Sequence, residues 1–222
     1  MSLRWVLAMA ALSLVPFALL MMTSFVRISV VLSILRSAIG APSVPPTPVL
    51  TGLALVLTIA VMAPTGQRML EALGPAGPAL VGAADADLST GPALAAMASA
   101  ADRAKEPLRA FLLKHVDPRD RASFHALTLK LRSPAERAAV SDRDFGVIVP
   151  AFVTSELRRA FQIGFLIFIP FLVIDMVIAN LLLALGMHML SPTTVSLPFK
   201  LLLFVLADGW QLVVRGLLES YL

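Results

Sequence analysis

Two ionisable side chains stand where ionisation is expensive. Asp175 lies inside the run FLIFIPFLVIDMVIANLLLALGM, and Lys200 opens the run PFKLLLFVL. A charge in such a segment must find a partner or water, so each marks a functional site by default. Between the two runs lies a short turn carrying Met187, His188 and Met189, followed by Ser191-Pro192-Thr193. Methionine is unbranched and polarisable, and it fills irregular gaps in apolar surfaces. Arg27, Arg36 and Asp208 are further charges in apolar surroundings, and with Asp175 they are expected to be buried or structural. Glu156 follows Thr154-Ser155, which reads as a cap for a helix starting at the glutamate.

Catalytic chemistry has little to work with. The chain has no H-E-x-x-H, Walker A or G-x-S-x-G pattern. A hydroxyl nucleophile at Thr154-Ser155-Glu156 with Lys200 as base has nothing in the sequence to fix its geometry. His115 and His125 are ten residues apart with no second ligand at i+3 or i+4, so they read as solvated histidines and no metal is expected. There is no Cys, which excludes disulfides and thiolate chemistry. No cofactor and no enzymatic activity are predicted.

The elements that hold these residues are apolar helices. The chain is 58% hydrophobic and 14% charged, against about 45–50% and about 25% in soluble domains. It is a membrane protein or part of an apolar assembly. The net charge of +4 does not point to nucleic acid, because the basic residues are scattered among acids without aromatic interleaving.

Trp5 to Val26 reads as a first helix kinked at Pro16 and running on to Leu35, with Gly40 as its cap. Arg4 and Ala8-Met9-Ala10 resemble a secretory signal, but the apolar run is long enough to span, so a retained helix is the better reading. Residues 41–48, APSVPPTP, form a stiff connector or a docking surface. Val49 to Ala63 reads as a second helix ended by Pro64 and Gly66, short for a span and therefore packed on protein. From Arg68 to about Asp144 the composition changes. An Ala/Gly/Pro-rich patch at 72–101 is flexible or weakly helical. Leu108, Phe111 and Leu112 then make an amphipathic face ended by Asp117-Pro118. Phe124, Leu127, Leu129 and Leu131 mark a second amphipathic stretch, and Ser133-Pro134 and Ser141-Asp142 read as caps or loops. A third helix carries Pro170 and Asp175, and a fourth runs from Leu197 to about Glu219, with Trp210 and Tyr221 as interface anchors.

The predicted fold is all-α and membrane-associated. Four long apolar helices form two hairpins, residues 1–66 and 146–222. A small, partly flexible helical domain, 67–145, is inserted between the second and third helices. Arg27 and Arg36 with no nearby acid argue that their connector is cytoplasmic and the inserted domain extracytoplasmic.

Several motifs in order carry a resemblance: Met22-Thr-Ser-Phe-Val-Arg27, Leu35-Arg-Ser-Ala-Ile-Gly40, Met62-Ala-Pro64, Pro150-Ala-Phe-Val-Thr-Ser-Glu-Leu157, Phe161-Gln-Ile-Gly-Phe165, Pro170-Phe-Leu-Val-Ile-Asp175, Leu185-Gly-Met187, Pro198-Phe-Lys200 and Asp208-Gly-Trp210. The chain resembles the FliP/YscR (SctR) family of type III secretion export-gate proteins over roughly 15–65 and 145–222. The resemblance implies a homopentamer, joined by FliQ/SctS-like and FliR/SctT-like subunits, that passes unfolded secreted proteins and sits in membrane lipid. It implies a pore gasket at Met187, His188 and Met189, where the family usually has three methionines. It also implies an inter-subunit ion pair of Glu156 with Lys200, although Lys200 could instead satisfy Asp175 in its own chain. A histidine ring would gain charge as pH falls, so leakage is expected to rise in acid unless His188 points off the axis. Flagellar members commonly carry a cleaved signal and extra N-terminal length, so this chain leans to the injectisome branch. Asp208-Gly-Trp-Gln and Phe161-Gln-Ile-Gly-Phe keep a flagellar flavour. The rival function is a small-solute or ion-coupled transporter with Asp175 and Lys200 as coupling charges. The two apolar pairs do not repeat one another in sequence, which counts against it.

Overall fold

The structure is a computed structural model that describes residues 9, 13, 16–41, 43–74 and 91–222, and for 91–98 the backbone alone. Every regular element among these residues is a helix. In chain order they are α1 (Phe25–Ile39), α2 (Thr47–Leu73), α3 (Gly91–His115), α4 (Pro118–Leu131), α5 (Pro134–Arg137), α6 (Phe145–Ala184), α7 (Pro192–Leu206) and α8 (Gly209–Glu219). A helical segment at 16–21 precedes α1. Nine residues of the predicted first helix, with Ala8 and Ala10 of its signal-like stretch among them, lie outside the described residues.

The chain divides into two compact units, one of residues 1–61 and 156–222 and the other of 62–155. In the first unit the buried axis is α1. Val26, Arg27, Ile28, Val31, Leu32, Leu35, Ala38 and Ile39 are all buried on it. Ile28, Val31 and Leu32 pack with Leu50, Ala54 and Leu57 of α2, Ala160 of α6 and Leu217 of α8. One turn further on, Leu35, Ala38 and Ile39 pack with Phe171 of α6 and Phe204 of α7. Gly164 lets α6 approach closely, since a Cβ there would stand 2.5 Å from Ile34 Cδ1. That is why a glycine interrupts the apolar run Phe161-Gln-Ile-Gly-Phe165.

Four predicted boundaries are corrected. The first helix does not run on into α1. It ends at Met21, because the Thr23 hydroxyl donates to the Leu20 carbonyl at 2.7 Å and accepts from Phe25 N–H at 3.3 Å. Side-chain bonds of this kind compete with the helical ladder. The second helix does not stop at Pro64 but continues to Leu73 with that proline inside it. Proline removes one ladder bond, which apolar helices tolerate when packing holds the rest. At 27 residues α2 is long and apolar enough to cross a membrane, as is α6. Thr154 and Ser155 cap nothing, since α6 starts ten residues earlier at Phe145 and passes through them unbroken. The fourth helix is two helices: α7 and α8 meet at a 62° bend, and together they make a third candidate span.

Gly40 does cap α1, with φ 83° and its N–H on the Ser37 carbonyl at 3.2 Å. In the second unit Leu108, Phe111 and Leu112 form the predicted buried face. The Phe111 ring stands edge-on to Phe152 of α6 at 5.9 Å. Asp117-Pro118 ends the preceding stretch as expected, and Asp117 also caps α4, accepting from Arg119 N–H at 2.8 Å. The apolar face expected on α4 is absent. Leu127 and Leu131 are exposed, and the one residue that α4 buries is Asp120. Ser133 and Ser141 both make turn contacts, through Glu136 and Asp144. The helical part of the 72–101 patch is longer than predicted, since α3 begins at Gly91; residues 75–90 lie outside the described residues.

Candidate functional site

Three constellations bring together the residues singled out by the sequence, all within the first unit. The first surrounds Glu156, which is fully buried on α6. Arg27 of α1 meets it with a two-pronged guanidinium. Nε donates to Oε2 at 2.9 Å and Nη2 donates to Oε1. The third guanidinium nitrogen, Nη1, reaches the end of the chain, donating to the Ser220 hydroxyl at 2.8 Å and carbonyl at 3.1 Å. Tyr221 completes the cluster. Its O–H donates to Glu156 Oε2, and its ring lies 3.9 Å beneath the Arg27 guanidinium. Burial, and after it the Glu156 carboxylate, push the Tyr221 phenol well above its usual range, so it serves as a donor. Fork-to-fork geometry is the strongest form of the arginine–carboxylate bond. Tyr221 is thus not an interface anchor but a buried ligand of the carboxylate. Trp210 is partly exposed, standing edge-on to Phe204.

The second constellation surrounds Lys200. Its ammonium donates to Asp175 Oδ2 at 2.6 Å and to the Ala38 carbonyl at 3.2 Å. The Ser196 hydroxyl donates to the other carboxylate oxygen at 2.5 Å. Lys200 and Ser196 are buried, while the Asp175 side chain keeps 26% of its surface. Ala38 lies in the last turn of α1, where carbonyls have no helical partner and the helix end is negative. The ammonium therefore neutralises a carboxylate and caps α1 at once. Of the two partners weighed for Lys200 from the sequence, Asp175 is the one it meets within its own chain, and Glu156 is occupied by Arg27.

The third is the loop between α6 and α7. Gly186 at φ 70° reverses the chain. Its N–H bonds to the Leu183 carbonyl at 3.1 Å and Met187 N–H to the Leu182 carbonyl at 2.9 Å. This is a Schellman closure, which fixes the backbone where Met187 leaves the helix. Met187 is 43% and Met189 98% exposed, and His188 is exposed as well. The loop ends at Ser191, whose hydroxyl pairs with that of Thr193 at 2.8 Å.

The remaining predicted residues fall outside these clusters. Asp208 is exposed, not buried. It sits at the α7–α8 bend with φ 49°, and its side chain makes no cap bond, so its contribution is conformational. Arg36 is half-buried and donates to the Thr47 hydroxyl at 2.9 Å. His115 is buried with Nδ1 on the Phe111 carbonyl at 2.9 Å, not solvated. Among the described residues no three His, Asp or Glu side chains converge as a metal would need. Arg27 is buried, as its apolar surroundings predict, but its partner Glu156 was not foreseen, nor were Ser196, Ser220 and Tyr221 as ligands. Partners lie up to 197 residues apart in sequence, beyond any local spacing rule.

The sequence matches the FliP family over residues 8–217. It is 41% identical to the hypersensitivity response secretion protein HrcR of Ralstonia nicotianae, over 95% of this chain and 93% of that protein. It is 45% identical to the flagellar biosynthetic protein FliP of Pectobacterium carotovorum subsp. carotovorum, over 100% of this chain and 79% of the relative. It is 40% identical to the Yop proteins translocation protein R of Yersinia pestis, over 97% and 94%. The apolar helices, the paired charges inside them and a match that takes in nearly every residue agree: this chain is a member of the FliP family.

Proposed function

We propose that the chain is a core subunit of a type III secretion export gate in the bacterial inner membrane. Five copies, with FliQ/SctS-like and FliR/SctT-like partners, would enclose a channel for unfolded substrate proteins. One observation carries this reading beyond family membership. The tip of the α6–α7 hairpin is apolar and uncovered, with Leu185, Met187, Met189 and Leu190 at 64, 43, 98 and 45% exposure. It contains no charged residue between Asp175 and Lys200. A tip meant for bulk water would be polar. An adaptable thioether tip suits a seal made by several copies around an axis.

Neither member of the implied Glu156–Lys200 pair is free in its own chain. An inter-subunit pair would form only by exchange of Arg27, Tyr221 and Asp175, so we favour the two intrachain clusters as rigid struts of each subunit. Energy for transport comes from elsewhere in the apparatus.

Co-expression with the neighbouring export-apparatus subunits, followed by native mass spectrometry, tests the reading. Five copies of this chain with smaller subunits bound are expected. The Asp175–Lys200 pair, its lysine buried and its aspartate partly exposed, is the one feature that favours an ion-coupled transporter instead. A stable monomer or dimer without partners would bring that reading forward and remove the gate.

A further inference from the structure

Arg36 stands apart from the other buried or half-buried cations. Arg27 has Glu156 and Lys200 has Asp175, but no carboxylate pairs with Arg36 among the described residues. No acidic residue occurs before Glu71, so neither α1 nor the start of α2 supplies one. Arg36 is in the last turn of α1, and Thr47 begins α2. Between these ends lies a cavity of about 70 Å³, lined by Ser29, Ser33, Arg36, Thr47, Leu50 and Thr51. One water needs about 10–15 Å³ and a drug-sized ligand about 300–1,000 Å³. The cavity therefore suits a small group.

Its chemistry selects an anion that accepts many hydrogen bonds. Of the five N–H donors on the Arg36 guanidinium, one is used among the described residues, on the Thr47 hydroxyl oxygen at 2.9 Å. That bond leaves the Thr47 proton to donate. The Ser33 and Thr51 hydroxyls bond to no other group among the described residues. Neither the last turn of α1 nor the first turn of α2 holds an acid that would repel an anion. A guanidinium fork with flanking hydroxyls is the arrangement that grips phosphate oxygens.

The setting says where the phosphate comes from. α2 is a candidate membrane span, and the cavity is at its first turn. Thr47, Thr51, Leu55 and Ile59 recur every four residues, so each neighbours the next along one slanted ridge of the helix face. Down that face hydroxyls give way to Leu55 at 39% and Ile59 at 68% exposure. The order from helix end to helix middle is charge, hydroxyl, aliphatic, which is the order of headgroup, glycerol and acyl chain in a lipid leaflet. We propose that this cleft binds the phosphate of a phospholipid headgroup through Arg36, Thr47 and Thr51, with an acyl chain along Leu55 and Ile59. The site is contained in one chain, so it does not depend on how many copies assemble.

The test is lipid retention by native mass spectrometry. The delipidated full chain in detergent is titrated with dioleoyl-phosphatidylglycerol. Dioleoylglycerol, which lacks the phosphate, and glycerol 3-phosphate, which lacks the chains, serve as competitors. One saturable phosphatidylglycerol site is expected, displaced poorly by either competitor. Arg36→Gln should weaken it about fivefold or more, the worth of one basic residue at an anionic surface. Thr51→Val, which leaves the Arg36–Thr47 bond intact, should weaken it less. Arg68→Gln removes the same charge elsewhere and should leave retention unchanged. Equal loss in Arg36→Gln and Arg68→Gln would overturn the site. Displacement by dioleoylglycerol as effective as by phosphatidylglycerol would reduce it to an apolar groove. Displacement by glycerol 3-phosphate at equal concentration would make the ligand a soluble phosphate and overturn the lipid. The same spectra report copy number, so failure of the site and failure of the gate are read separately.

Discussion

Lys200 serves three groups at once: the Asp175 carboxylate, the Ala38 carbonyl and, through Asp175, the Ser196 hydroxyl. Breaking one member of a buried pair strands the other charge and costs about 3–5 kcal/mol. Lys200→Glu sets two carboxylates against each other with no cation and lies at or beyond the top of that range. We expect it to abolish the folded subunit, measured as loss of the detergent-resistant cooperative unfolding transition. Adding Asp175→Lys restores opposite charges across the same contact and should recover part of the transition. Rescue by Glu156→Lys, and not by Asp175→Lys, would instead establish a pair between subunits. The expense of Asp175 and Lys200 was legible from their apolar neighbours alone. Their pairing was one of two readings, and the carbonyl of Ala38 in the cluster was not legible at all. Arg27 and Tyr221 illustrate the limit. Each is surrounded in sequence by ordinary helix residues, and only the fold brings them to Glu156, 129 and 65 residues away.

Helix existence was legible from hydrophobicity, and helix ends were legible where backbone geometry demands a special residue. Gly40 caps α1 and Asp117-Pro118 breaks the chain before α4 where the sequence puts them, because a left-handed cap and a proline break have few substitutes. Boundaries failed where a single signal was overweighted or missed. Pro64 was given the power to end α2, but a packed apolar helix absorbs the lost bond. Asp208-Gly209 was passed over, although Asp is among the few residues that visit the left-handed region routinely. At φ 49° it turns the chain through the 62° bend that lets α8 place Leu217 in the core beside α1. A β-branched residue there loses about 1–2 kcal/mol, whereas glycine loses nothing sterically. Asp208→Val should therefore lower the thermal midpoint by several degrees, and Asp208→Gly should leave it near the parent value or above. Equal losses in both variants would mean that the carboxylate, not the backbone, does the work. That outcome would conflict with an exposed side chain that makes no cap bond.

At the scale of the whole molecule, the first unit is rigid at its centre and unfinished at its edge. Two buried ion clusters tie α1 to α6, α7 and the chain's end, while the hairpin tip is left as uncovered thioether and imidazole. Such a division suits a subunit whose frame must hold while its tip deforms and reseals. If five tips meet around an axis, as proposed, Met187 and Met189 supply a neutral, adaptable ring. Planar bilayers holding the assembled gate should then conduct small ions poorly at rest. Replacing Met189 by alanine should raise that conductance, because it removes filling and not charge, whereas Met189→Leu, which keeps the volume, should leave it near the parent value. A resting conductance unchanged in Met189→Ala would place this side chain off the axis and leave the seal to Met187.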